Sequence, residues 1–200
     1  MGEPAISSSS YSYEAYLAVE ADTDLKYEYH DGFIVAMAGG TPEHGRIAAN
    51  LLRSLGNALI AKNSPCNLYS SDVKIHVATS NRSFYPDVSM VCGPEERSEK
   101  DSKAITNPSL LIEILSDSTE AKDRGLKFQQ YRMLPSLREY VLVSQKEAIV
   151  ESFFRKEDGY WQILTAVGLD ASISFPSAGV KVALSDIYRG LELESAPESE

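Results

Sequence analysis

The sequence predicts an α/β fold, a mixed β-sheet flanked by helices. Three features of the chain lead there. SLLIEIL (109–115) is apolar throughout except for Ser109 and Glu113, the pattern of a strand buried on both faces. A helical stretch, STEAKDRGLKFQQYRML (118–134), separates it from a second apolar strand, REYVLV (138–143), and a crossover of that length makes the two strands parallel. A long amphipathic helix precedes the strands at 41–63.

The elements follow in order. SYEAYLAVE (12–20) reads as a short helix with Ser12 as N-cap. KYEYHDGFIVAMAG (26–39) reads as a hairpin turned at Asp31-Gly32. In the long helix Ile47, Leu51, Leu52, Leu55 and Leu59 recur at helical spacing, Thr41 caps, and Pro42 suits the first turn. NLYSSDVKIHVAT (67–79) alternates, with Val73, Ile75 and Val77 on one face and Asp72, Lys74 and His76 on the other. YPDVSMVC (85–92) is a further strand, and the polar stretch after it is a loop. Asp117 or Ser118 caps the next helix, with Glu120 and Asp123 in its first turns, and Pro135 ends it. AIVESFFRKEDGYWQILTAV (148–167) is a hairpin turned at 157–159; ISF and VKVAL are short strands, and SDIYRG is a turn of helix. Phe153, Phe154 and Trp161 in that hairpin suit core or dimer packing.

With 200 residues, 43% hydrophobic and 24% charged, the chain has the composition of one globular domain with a self-sufficient core. That domain is expected over 11–190, between a small polar segment at 1–10 and an acidic tail at 191–200, both loose. The start lacks the basic end and apolar centre of a secretory signal, and no run approaches a membrane span. A cytoplasmic protein with no membrane partner is therefore expected. Cys66 and Cys92 read as reduced thiols in that compartment, with a bridge as the alternative. The net charge of −10 opposes tight non-specific binding to nucleic acid. It leaves open a local basic cleft, or metal ions that bridge carboxylates to phosphate.

The chemistry centres on Glu113. A carboxylate inside a doubly buried strand is costly unless something offsets it. If the strands neighbour, Asp87, at the head of YPDVSMVC, can share its face of the sheet. Two carboxylates side by side conflict, and a divalent cation relieves the conflict. Mg²⁺ suits such a set: the two carboxylates, a carbonyl such as that of Ile114, and waters. Lys127 on the following helix is the natural cationic partner, and Tyr131, four residues on, shares its helix face. Glu28 and His44 are further candidates.

YEYHDG (27–32), HGRIAANL (44–51), YPDVSMV (85–91), PSLLIEILSDST (108–119), Lys127 with Tyr131, and REYVLV (138–143) together resemble the Uma-type putative restriction endonuclease family, a branch of the PD-(D/E)XK nuclease superfamily. The collinear resemblance covers roughly 12–190. It implies a restriction-endonuclease-like core, Mg²⁺ as cofactor with Mn²⁺ as a substitute, hydrolysis of DNA phosphodiesters, and pairing as a homodimer. It places Asp87 and Glu113 at the metal, Glu28 at the acidic position before the core strands, and Lys127 in the role of a lysine that the parent motif sets two residues after the glutamate. That position holds Leu115, a departure from the parent pattern. His44 matches a histidine of the branch, and with Tyr131 falls on the substrate side.

Plainer readings stand beside these. Glu113 and Lys127 could form a structural ion pair, Asp87 a local strand-start contact, Tyr131 core packing, His44 a helix-start polar contact, and Glu28 a cross-strand partner of a lysine. Asp72-x-Lys74 is a rival polar pair that could join the same cleft or line a half-buried strand. At the level of the whole protein, the alternatives to a DNA nuclease are a non-catalytic member of the fold that binds a ligand or a protein, and phosphoester hydrolysis on a small nucleotide or RNA.

Overall fold

A computed structural model describes residues 10–193, apart from 24 and 38; the expected loose ends at 1–9 and 194–200 lie outside the described residues. The chain order is α1 (Tyr13–Ala21), β1 (Tyr27–His30), β2 (Phe33–Ala36), α2 (Pro42–Ala61), β3 (Cys66–Ser70), β4 (Lys74–Val77), β5 (Arg82–Phe84), β6 (Val88–Cys92), β7 (Ala104–Ile105) and β8 (Leu110–Leu115). Then come α3 (Glu120–Lys122), a π-helical turn (Asp123–Lys127) and α4 (Phe128–Tyr131), which run on as one helical segment over 120–131. β9 (Glu139–Ser144), β10 (Ile149–Arg155), β11 (Trp161–Val167), β12 (Ser172–Phe175), β13 (Val180–Ala183) and α5 (Leu184–Ile187) complete the fold.

The predicted mixed sheet is the six-stranded one, ordered β11-β10-β9-β8-β6-β3. β8 and β9 are parallel, as the helical crossover requires; β6, β10 and the edge strands are antiparallel. All six residues of β8 are buried. Leu110, Ile112 and Ile114 face α2, α5 and the β12-β13 hairpin. Leu111 and Leu115 face the opposite way, toward Tyr131, Tyr140 and a second sheet. Sheet alternation puts Glu113 on this second face.

The sequence suggested one central sheet; the strands divide among three. A five-stranded sheet, β2-β1-β5-β4-β7, covers the second face. The stretch 67–79 does not run as one alternating strand. It breaks at a turn closed by the Val73 N–H on Ser70 O, so β3 and β4 join different sheets. β4 is also buried on both faces rather than half exposed, because α1 lays Tyr13 against His76 and Tyr16 beneath Lys74. β5 and β7, both short, fall in stretches without a clear strand pattern.

Local signals held elsewhere. Ser12 caps α1 through the Ala15 N–H and Thr41 caps α2 through the His44 N–H. The β1-β2 turn has Asp31 at φ 48° and Gly32 at φ 103°, the left-handed pair that a two-residue hairpin needs. The cap of the third helix differs: Thr119 occupies it, and its side chain makes no cap hydrogen bond. The beginning of the expected tail is packed, with Leu191 and Leu193 partly buried on the main core. No helix among the described residues is long and apolar enough to cross a membrane.

Cys66 and Cys92 stand directly opposite in the β3-β6 ladder, and their sulfurs are bonded. This corrects the expectation of two reduced thiols: separation in sequence hid an exact cross-strand pairing. A disulfide closing a loop of this length restricts the unfolded chain. Dithiothreitol is therefore expected to lower stability in urea by about 3 kcal/mol; an unchanged midpoint would show that the bond contributes nothing.

Candidate active site

The site lies where the second face of the six-stranded sheet meets β1 and the helical segment at 120–131. Val88 pairs with Ile112, so Asp87, one residue before β6, falls opposite Glu113. Asp87 continues the ladder with its side chain: Oδ2 accepts the Ile114 N–H at 2.7 Å. Its other oxygen, Oδ1, meets His44 Nε2 at 2.8 Å, which ties β6 to the first turn of α2.

Glu113 is 3% exposed. Its Oε1 accepts the Tyr131 hydroxyl at 2.8 Å, and its Oε2 lies 3.0 Å from Lys127 Nζ. Lys127 is itself buried and also faces Asp123 Oδ1 at 3.2 Å and Glu28 Oε1 at 3.5 Å. Glu28 reaches past Lys127 to Lys122 at 2.8 Å and His30 at 3.1 Å. Gln145 completes the rim, donating to Leu115 O at 2.8 Å and lying 3.4 Å from His44 Nδ1. Beyond it, at the carboxyl ends of β8 and β9, is a cavity of about 340 Å³ lined by Ser116, Ser144, Gln145 and Arg124 among others. Parallel strands present ligand sites at that end.

The π turn explains why one helical segment supplies so many groups. Asp123, Lys127 and Tyr131 are spaced by four, and all three are buried toward Glu113. Eight residues of regular α-helix would drift by about 80° around the axis. The wider turn inserted at Asp123–Lys127 takes up that drift.

Electrostatics follow from the inventory. Glu28, Asp87, Glu113 and Asp123 face Lys127 and Lys122. Burial pushes Glu113 well above the ordinary carboxyl range; Lys127 opposes this, while Asp123, Asp87 and Glu28 add to it. Burial raises Asp123 too, against Lys127. Glu28 goes the other way: burial would raise it, but Lys127, His30 and Lys122 outweigh burial and hold it well below the usual range. Lys127 is held charged, because the three carboxylates outweigh its desolvation. The hydrogen bond to Asp87 raises His44 above its ordinary value.

The donor set fits a hard divalent cation. Carboxylates outnumber lysines there: Glu28, Asp87, Glu113 and Asp123 stand around Lys127 and Lys122. Among the described residues no three His, Cys, Asp or Glu side chains converge as a ready ligand cage.

Every candidate drawn from the sequence, Glu28, His44, Asp87, Glu113, Ile114, Lys127 and Tyr131, lies in this one cluster. Ile114 takes part through its N–H on Asp87. Asp72-x-Lys74 does not join it. Asp72 is exposed and pairs with Lys26, while Lys74 is buried beside Glu20 and Asp101 in a separate polar cluster under α1. Sequence reasoning missed Asp123 as a site residue, and missed His30, Lys122 and Gln145. Asp123 had a usable signal, since the spacing of four from Tyr131 to Lys127 continues back to it. His30 shares the strand face of Glu28 two residues away. Lys122 and Gln145 had none, because Lys122 breaks the spacing of four on its helical segment and Gln145 follows the end of β9.

Comparison with known proteins places the whole chain. A family model described as "Uma2: Putative restriction endonuclease" matches residues 13–185. An uncharacterized protein of Synechocystis sp., slr1290, is 39% identical over 178 residues, 89% of this chain and 91% of that one. A second, sll1609, is 34% identical over 160 residues, 80% and 89% of the two chains. The crystal structure of "a putative nuclease belonging to DUF820" from Anabaena variabilis superposes with a TM-score of 0.67 at 16% identity, covering 83% of this chain and 91% of the other. That likeness is one of fold.

Two predictions test the cluster. Lys127→Met leaves buried carboxylates without their main cation and is expected to cost about 3–5 kcal/mol at pH 7. The loss should shrink toward pH 5 as the carboxyls take up protons; equal urea midpoints for the two proteins at pH 7 would remove the ammonium from the account. For His44 the folded-state value is the raised one, so its stabilisation is complete below about pH 6.5, the unfolded value, and disappears above the folded one. The stability gap between wild type and His44→Gln should therefore close as pH rises from 5.5 to 9. A gap that is constant across this range would show that protonation of His44 adds nothing.

Proposed function

The chain belongs to the Uma2 putative restriction endonuclease family, and we propose that it is a Mg²⁺-dependent endonuclease that hydrolyses DNA phosphodiester bonds. One observation carries the reading: strand register sets Asp87 opposite Glu113, and a buried lysine lies 3.0 Å from Glu113. The excess of buried carboxylate over lysine around Glu113 supports a divalent cation as a further counter-charge.

Asp87 and Glu113, with the carbonyl of Ile114, are the residues that would hold the ion. Magnesium, or manganese in its place, would supply Lewis acidity at the scissile phosphate and a more acidic water. The protein's own groups do the rest. Lys127, aimed by Glu28 and Asp123, presents a fixed positive charge to a phosphate oxygen or to the attacking water. Tyr131 holds the Glu113 carboxylate in one orientation, and β8 makes its support rigid. His44, kept protonated by Asp87 over a wider pH range, offers a hydrogen bond to the DNA backbone from the side of α2. A homodimer would place two such sites on a duplex; β11, one edge of the six-stranded sheet, with Ile163 and Val167 exposed, offers a strand for pairing. Sedimentation at micromolar protein should show a dimer, and a single species of monomer mass would remove that part.

One observation favours a different reading. All four oxygens of Asp87 and Glu113 already have partners within the protein. A site closed in this way would suit a non-catalytic member that binds a ligand or a protein. Plasmid DNA decides between them. Cleavage should need Mg²⁺ or Mn²⁺, stop in EDTA, and fall by more than about 100-fold in Glu113→Ala, while calorimetry shows wild type binding Mn²⁺. Unchanged cleavage in Glu113→Ala overturns the site assignment. No cleavage together with no metal binding at millimolar ion establishes the non-catalytic reading.

A further inference from the structure

A second charged surface lies on the outer side of the same helical segment. Arg132 and Arg138 are exposed just after α4, and Arg155 ends β10 beside them. The Arg155 N–H donates to Arg138 O at 2.7 Å, and its guanidinium donates to Leu134 O and Arg132 O. The same guanidinium lies 4.9 Å from the centre of the Trp161 ring, and that of Arg132 lies 5.7 Å from the Phe128 ring. The two rings meet edge to face at 5.3 Å. The result is a compact array of three arginines, two of them on adjoining aromatic rings and Arg138 close to Arg155, with Lys156 exposed next to it.

Among the described residues the three arginines lack a counter-charge in an acidic protein. In a protein of net charge −10, Arg97, Arg124, Arg189 and Lys26 each pair with a carboxylate. Among the described residues Arg132, Arg138 and Arg155 form no ion pair. Glu157 and Asp158, in the nearby hairpin turn, are exposed and do not bond to them. Burial lowers Arg155 from its ordinary value, and repulsion from Arg138 and Arg132 lowers it further, with no carboxylate to offset either. Clustered like charges without a counter-charge are unfavourable until an anion arrives.

We propose that this surface holds the phosphate backbone of a nucleic-acid strand outside the catalytic pocket. The assignment rests on the nuclease reading for the identity of the anion. Guanidinium groups grip phosphate by two-pronged hydrogen bonds, and a guanidinium plane backed by an aromatic ring is a surface on which a base can stack. A carboxylate peptide would satisfy the charges and leave those planes unused. The surface is separate from the pocket. Five residues from Lys127 to Arg132 turn the helix by about 140°, so the arginine array contacts a flanking stretch of strand rather than the scissile phosphate.

Fluorescence anisotropy with a labelled single-stranded DNA in EDTA reads this surface without cleavage. Arg132→Glu/Arg138→Glu should weaken binding at least 10-fold and reduce the slope of log affinity against log salt by about 1.4, two phosphate contacts on a single strand. Arg155 stays untouched because it caps the helix end. Arg132→Gln/Arg138→Gln should show a smaller loss in the same direction, which keeps the test valid if charge reversal disturbs the fold. Binding equal to wild type in both variants overturns the proposal, as does a wild type that binds no DNA. Displacement of the DNA by polyglutamate of equal charge at equal concentration also overturns it and assigns the surface to an acidic protein segment. Arginine-dependent binding without cleavage sinks the nuclease reading and leaves this one; cleavage with arginine-independent binding does the reverse.

Discussion

The ammonium of Lys127 is the contact on which the rest of the site depends. It stands among Glu113, Asp123 and Glu28, three buried carboxylates from three different elements. Without it, like charges would share a space from which water is excluded, where their repulsion is little screened. With it, β1, β8 and the helical segment at 120–131 are held together by one cation. The π turn is the local cost of that arrangement. It interrupts regular helix so that Asp123, Lys127 and Tyr131 all point at Glu113.

This concentration of charge is possible because the surrounding sheet is rigid and dry. β8 carries two apolar faces, one closed by α2 and the other by the five-stranded sheet. Glu113 interrupts only the second. Asp87 extends β6 by one rung through the Ile114 N–H, so the two acids are positioned by strand register rather than by a loop. His44 then links this register to α2, and Gln145 links it to the end of β9. Groups held in this way need little reorganisation when a charged ligand enters. The two basic regions of an acidic protein also divide the work by depth. Lys127 is buried among carboxylates, while Arg132 and Arg138 are exposed and form no ion pair among the described residues.

Much of this was legible in the chain, for identifiable reasons. α2 announced itself through Thr41, Pro42 and a leucine stripe, and the Asp31-Gly32 hairpin through the residues its turn demands. The parallel pairing of β8 and β9 followed from the helix between them. Glu113 was visible because it breaks an apolar run, and Lys127 because the helix after that run returns over it. Short elements were not legible. β5 and β7 have three residues and two, too few for a period to show, and become strands because longer neighbours offer them free hydrogen-bonding edges.

What the sequence determined by itself was the set of elements with a strong local pattern and the candidate residues they carry, because periodicity, caps and turn residues act within a few positions of one another. Three things were decided only by tertiary structure. The strands divide into three sheets. The cysteines meet across a ladder. Asp123, Lys122, His30 and Gln145 join the residues foreseen. Each depends on contacts between segments far apart in the chain, where register and burial, rather than neighbouring residues, set the partner and the charge state.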